Sequence, residues 1–121
     1  MCGRYASARS VDDLASTFGI ASDDIQTPVA PDWNVAPTKP VPAIVVRHDK
    51  RMLREMRWGL VPLWAKDPSI GSRFINARLE SVAEKPAFRD ALVRRRCLLP
   101  ASVAGVQRTA QAPGASVIAF K

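Results

Sequence analysis

Cysteine and histidine are nearly absent from this chain. Its 121 residues contain two cysteines, Cys2 and Cys97, and one histidine, His48. Two distant cysteines without a paired spacing make neither a disulfide scaffold nor a zinc site. The sequence therefore calls for no metal and no cofactor. Acidic side chains are also scarce: 11 Asp and Glu stand against 18 Lys and Arg, a net charge of +7. That sign suits a polyanionic partner such as nucleic acid, and ordinary solubility charge gives the same balance. No run approaches the roughly 18 apolar residues of a membrane span, so no membrane partner is expected. The N-terminus carries Arg4 and Arg9 but no apolar core of a signal peptide, and the chain reads as cytoplasmic. Hydrophobic residues make up 47% of it, enough for one domain with a modest core.

The stretch with the most chemistry is Met1-Cys2-Gly3-Arg4. Cys2 is small enough for Met1 to be trimmed. That would leave an α-amine and a thiol on adjacent carbons. Their reference pKa values are about 8 and about 8.5, so near neutral pH a fraction of each is nucleophilic. The amine can condense with an aldehyde, and the thiol can then close a thiazolidine ring. The plainer alternative is that Cys2 is merely second in the chain.

Further along, Ser10 reads as the cap of a helix whose inner face is Val11, Leu14, Ala15 and Phe18, with Gly19 as its stop. Five of the ten prolines fall between Pro28 and Pro42, which predicts an ordered loop anchored by Trp33 and Val35. Ala43 to Arg47 and Arg51 to Trp58 predict two strands joined at His48-Asp49-Lys50, with His48 a solvated turn residue. Trp58 to Trp64 predicts a shaped turn holding two tryptophans, either both in the core or with one exposed to stack on an unpaired base. Phe74 and Ile75 suggest a strand over Ser72–Leu79, with Asn76 and Arg78 on one face, suited to orienting a substrate and gripping a phosphate. Pro86 opens a helix to about Arg95, closed by the Arg94-Arg95-Arg96 run, which is either a phosphate contact or a solvated helix end. Cys97 to Leu99 predicts a buried strand with Cys97 in the core.

Six blocks in order resemble the SOS-response-associated peptidase (SRAP) family: Met1 to Tyr5, Asn34 to Thr38, Arg57 to Pro62 with Trp64, Asn76 to Arg78 with Glu80, Lys85 to Arg89, and Arg96 to Ala101. The resemblance covers residues 1–101, taken as the N-terminal part of an SRAP-like domain, with 102–121 a divergent tail. It implies an α+β fold, a curved and mostly antiparallel, barrel-like β core with a few short helices, here incomplete. It also implies binding of single-stranded DNA that carries an abasic site, whose ring-opened sugar is an aldehyde. Cys2 would be the nucleophile and Asn76 its active-site partner. Arg4 and Arg78 would hold phosphates, and Trp58 and Trp64 would sit in the wedge beside the lesion. Asn34 and Pro37, within a matching block, and the basic Arg94 and Arg95 complete the expected DNA-binding set. A nucleoid-associated location would follow.

The resemblance fails after Pro100-Ala101. The family normally carries a Glu beside a Trp there, and an active-site His much further on. This chain reads Ser102-Val103-Ala104-Gly105-Val106 and ends at Lys121. Such a sequence reads as a truncated or frameshifted product whose last strand is Val117 to Phe120. Loss of acid–base assistance, typically worth about 10²–10⁴-fold, is expected to slow the crosslink and Met1 removal without forbidding chemistry at Cys2. The alternatives are a non-catalytic basic single-strand binder and a non-functional fragment. Self-association, or a second chain that completes the fold, is also expected of an open sheet.

Overall fold

The structure, a computed structural model, describes residues 3–26, Pro28 and residues 30–104. Cys2 and the expected strand from Val117 to Phe120 lie outside the described residues. The fold is mixed α and β, with short antiparallel sheets and few helices. The sheets do not close into a barrel among the described residues.

Helix α1, Val11–Phe18, is the element most plainly written in the sequence. Ser10 holds extended backbone, and its hydroxyl accepts the Asp13 N–H at 3.2 Å. Asp12 and Asp13 complement the positive end of the helix. Gly19 ends it in the left-handed conformation at φ 63°, and Arg51 donates to the Phe18 carbonyl at 2.8 Å.

The centre of the molecule is a hairpin of β3, Pro40–Arg47, and β4, Lys50–Arg57, following two earlier strands, β1 at Tyr5–Ser7 and β2 at Asp32–Val35. Pairing runs from Pro40↔Arg57 to Arg47↔Lys50. His48 and Asp49 form the two-residue loop, both with positive φ, 50° and 60°. That geometry matches the right-handed strand twist but is one that Asn-Gly would adopt with less strain. Strand β3 starts three residues earlier than the sequence suggested and takes in two prolines. Ile44 exchanges both backbone hydrogen bonds with Leu98, on the side of β3 away from β4. Pro40 and Pro42 share its parity, so their missing donors point to the side where only that isolated bridge pairs.

Alternation along the hairpin feeds two cores. One face gives Val41, Ala43 and half-buried Val45 and Met56 to a cluster with Tyr5, Val35, Trp58 and Cys97. The other gives Ile44 and Leu53 to a cluster with Leu14 and Ile20, covered by α1. Over the first core lies a second sheet in the order β2-β1-β5, where β5 is Val103–Ala104. The layers are therefore sheet, hairpin and helix.

Three expectations change. Ser72–Leu79 is not a strand: a 3₁₀ helix occupies Pro68–Arg73, started by Asp67 accepting from the Ser69 N–H. The β propensity of Phe74 and Ile75 is overridden because their carbonyls are taken elsewhere, by the Leu60 N–H and the Trp58 indole, both at 3.0 Å. The second helix, α2, is Arg89–Arg94 and not Pro86 to Arg95. Pro86 lies in the turn before it, where the Lys85 carbonyl accepts from both Phe88 and Arg89. Cys97 to Leu99 makes a single bridge, Leu98 to Ile44, in place of a strand, although Cys97 is buried as expected.

Candidate nucleic-acid interface

Trp58 is the hub of the site region. Only 1% of it is exposed. Its backbone N–H donates to the Lys39 carbonyl at 3.0 Å, and its carbonyl accepts the Thr38 N–H at 2.8 Å. Its ring meets Tyr5 edge-on at 5.4 Å and 70°, a favourable aromatic geometry. Its indole N–H holds the Ile75 carbonyl, one residue before Asn76. One residue, through its ring and its backbone, thus ties β1, the Asn34–Thr38 block and the Asn76 segment together. The ring of Trp58, expected in the wedge beside the lesion, is enclosed among the described residues.

Around this hub, Arg4 is exposed and donates to the Asn34 side-chain oxygen at 3.1 Å. Asp32 supports the pair from beneath. One of its oxygens accepts the Asn34 backbone N–H at 2.8 Å, and the other meets the Lys39 ammonium at 3.0 Å. The Asn34 amide and then the Lys39 hydrogen bond hold the Asp32 carboxyl below its ordinary value. Asp32 and Lys39 were not singled out in the sequence. Their signal was local: Asp two residues before Asn is an Asx-turn pattern. Pro37 and Thr38 are the middle of a turn closed by Lys39 N–H to Ala36 C=O at 3.3 Å. Thr38 has φ 70°, a position that in a Pro-led turn of this kind belongs to Gly. A β-branched residue there is strained and is held by its bond to Trp58.

Asn76 is half-buried, while Arg78 beyond it is exposed. Trp64 is 59% exposed and lines a cavity of about 590 Å³ with Lys66 and Arg73, two cations that sequence reasoning passed over. Trp33, expected as a loop anchor, is instead 74% exposed. Between Tyr5↔Val35 and Ser7↔Asp32, β2 uses one residue more than β1, and this bulge breaks the alternation that would have put Trp33 inside with Val35. Arg94 and Arg95 line a different cavity, beside β3 and β4. Among the described residues, no group of three or more His, Cys, Asp or Glu gathers as metal ligands, and no helix is long and apolar enough to cross a membrane.

Comparison with known proteins gives a consistent result. A family profile described as "SOS response associated peptidase (SRAP)" matches residues 1–103. Two Bacillus subtilis proteins named abasic site processing protein, YoaM and YoqW, are 44% and 42% identical over 101 residues. Each alignment covers 84% of this chain but only 44% and 45% of the relative, so the chain spans less than half their length. A solved protein from Bacteroides thetaiotaomicron superposes with a TM-score of 0.66 at 23% identity, covering 84% of this chain and 46% of that one. One from Bordetella bronchiseptica gives 0.64 at 21%, covering 83% and 48%.

Proposed function

The chain belongs to the SRAP family of SOS response associated peptidases, and from that premise we propose that it processes abasic sites in single-stranded DNA through Cys2. Removal of Met1 frees the amine of Cys2. The amine condenses with the aldehyde of the opened sugar, releasing one water and giving an imine. The thiol adds across the imine carbon, its proton passes to the nitrogen, and a thiazolidine closes with no further loss of atoms. Asn76 orients the sugar. Arg4, Asn34, Pro37 and Arg78 hold the strand around the lesion, and Trp64 supplies the exposed ring of the wedge. Arg94 and Arg95 extend the basic surface.

The observation that carries the reading is the Trp58 hub, which joins β1, the Asn34–Thr38 block and the segment leading to Asn76. Orientation of a bound aldehyde against a nucleophile is worth far more than either group alone. The test is intact mass of the full chain after mixing with single-stranded DNA holding one abasic site. A covalent adduct that survives denaturing conditions is expected. Cys2→Ser keeps the amine but has no thiol, so its adduct should be labile; Cys97→Ser should leave the stable adduct intact. If a form that retains Met1 crosslinks as well as the trimmed one, the aminothiol mechanism is wrong. A second reading, a strand binder without the covalent step, is favoured by Ser102-Val103-Ala104 standing where the family carries its acid. Salt-sensitive binding with no adduct would select it.

A further inference from the structure

Five arginines line a cavity of about 430 Å³ between the ends of β3, β4 and α2: Arg47, Arg54, Arg94, Arg95 and Arg96. Glu55 is the acidic residue among them. Arginine stays charged at any physiological pH, so this wall carries a permanent positive field. Two of its members are oriented by neighbours. The Arg54 Nε donates to the Gln26 side chain at 2.6 Å, and the Arg94 Nε lies 3.4 Å from Asp90. Arg95 differs. Its Nε and one terminal nitrogen are buried, with no hydrogen-bond partner among the described residues. A guanidinium withdrawn from water without an acceptor is costly, and an anion that supplies oxygen acceptors removes that cost.

We propose that this cavity is a phosphate-binding site with Arg95 at its floor. The planar guanidinium fork matches two phosphate oxygens, and arginines arriving from three elements suit an anion of more than one charge. The carbonyls ending α2 oppose an anion, but only weakly: a helix of six residues carries at most a fraction of a charge at its end, against five full charges. Arg47 and Arg54 are the members that sequence reasoning did not reach, because β3 and β4 bring them to the Arg94–Arg96 run only in the folded chain. The site rests on the strand-binding reading only for one possible source of its phosphate; the Cys2 chemistry plays no part.

Calorimetric titration of the full chain with inorganic pyrophosphate, at fixed ionic strength, tests this. Saturable binding is expected, together with a rise in melting temperature. Arg95→Gln and Arg54→Gln should each weaken it at least about tenfold, and Arg9→Gln, which alters an arginine bonded to Thr17 instead, should not. Arg95→Gln should melt no lower than the parent protein without ligand, since it removes two buried donors that have no partner among the described residues. If it fails to fold, Arg54→Gln decides. Pyrophosphate binding no tighter than chloride, or equal binding by both variants, overturns the proposal. Undamaged oligonucleotides with and without a 5′-phosphate then identify the source. Displacement of pyrophosphate by either assigns the site to a strand, and no displacement assigns it to a small phosphate compound. Cys2→Ser should bind pyrophosphate unchanged, so a failure of the crosslink and a failure of this site are separable.

Discussion

Thr38 and Asp32 show how single residues set the shape of the interface. Thr38 holds a left-handed backbone that costs a β-branched side chain roughly 1–2 kcal/mol. Thr38→Gly should therefore raise stability by up to about 1 kcal/mol in chemical denaturation, because the flexibility glycine adds to the unfolded chain takes back part of the gain. If the strain serves to present Asn34 and Pro37, the same change should weaken DNA binding. Asp32 has a carboxyl pKa below its ordinary 3.8 in the folded chain. A depressed acid contributes its stability fully above the unfolded value and loses it as pH falls through the folded one. The contribution of Asp32 to the melting temperature should thus be full and independent of pH above about pH 5, and should be lost below 3.8 in a decline that Asp32→Asn lacks. At the Trp58 hub, Trp58→Ala should cost about 3–5 kcal/mol, and Trp58→Phe should cost less because only the indole N–H bond to Ile75 is wholly lost.

At the scale of elements, local chemistry is legible where it is self-sufficient. Helix α1 carries its own cap, apolar face and stop, and the hairpin carries its own β-branched runs. The Asn76 segment was not legible as a non-strand, because its conformation depends on Trp58 and on a meeting of glycines. Gly59 has φ 133°, and a Cβ there would overlap the Gly71 carbonyl. Gly59→Ala should accordingly destabilise by more than the roughly 1–3 kcal/mol of backbone strain alone, read as a lowered denaturation midpoint with an unchanged slope. Trp33 was misplaced for a similar reason: a bulge in β2 is set by its partner and leaves no mark in a single strand's sequence. Of the site, the blocks from Arg4 to Arg78 were readable as motifs. Asp32 and Lys39 carried only a local turn signal, and the arginine pair from the hairpin became visible only through tertiary contacts. The hairpin loop is a further test. Replacing His48-Asp49 by Asn-Gly should stabilise by about 0.5–1 kcal/mol without shifting the register.

For the whole molecule, two layers of core support about half of the length of its relatives. Among the described residues β2 and β5 are the edges of their sheet, and Leu79 and Val93 are exposed; self-association at high concentration is the expected outcome, visible as a concentration-dependent sedimentation profile. A sharp, monomeric transition above about 60 °C would contradict it. Binding to single-stranded DNA should fall with salt, with a log–log slope of about −0.7 for each phosphate neutralised, and should exceed binding to duplex.

The contacts of residues 98–104 have a consequence in time. Leu98 is bonded to Ile44, the Ser102 N–H to the Ala6 carbonyl, and Val103 and Ala104 pair with Ala6 and Tyr5. The first strand to leave the ribosome is thus framed on one side by almost the last residues described. At about 5–20 residues per second, β1 waits some 5–20 s of synthesis for that neighbour. Helix α1 and the hairpin, whose contacts are nearer in sequence, can form meanwhile. The pairing of β1 with β5 is therefore among the last contacts of the described residues to form.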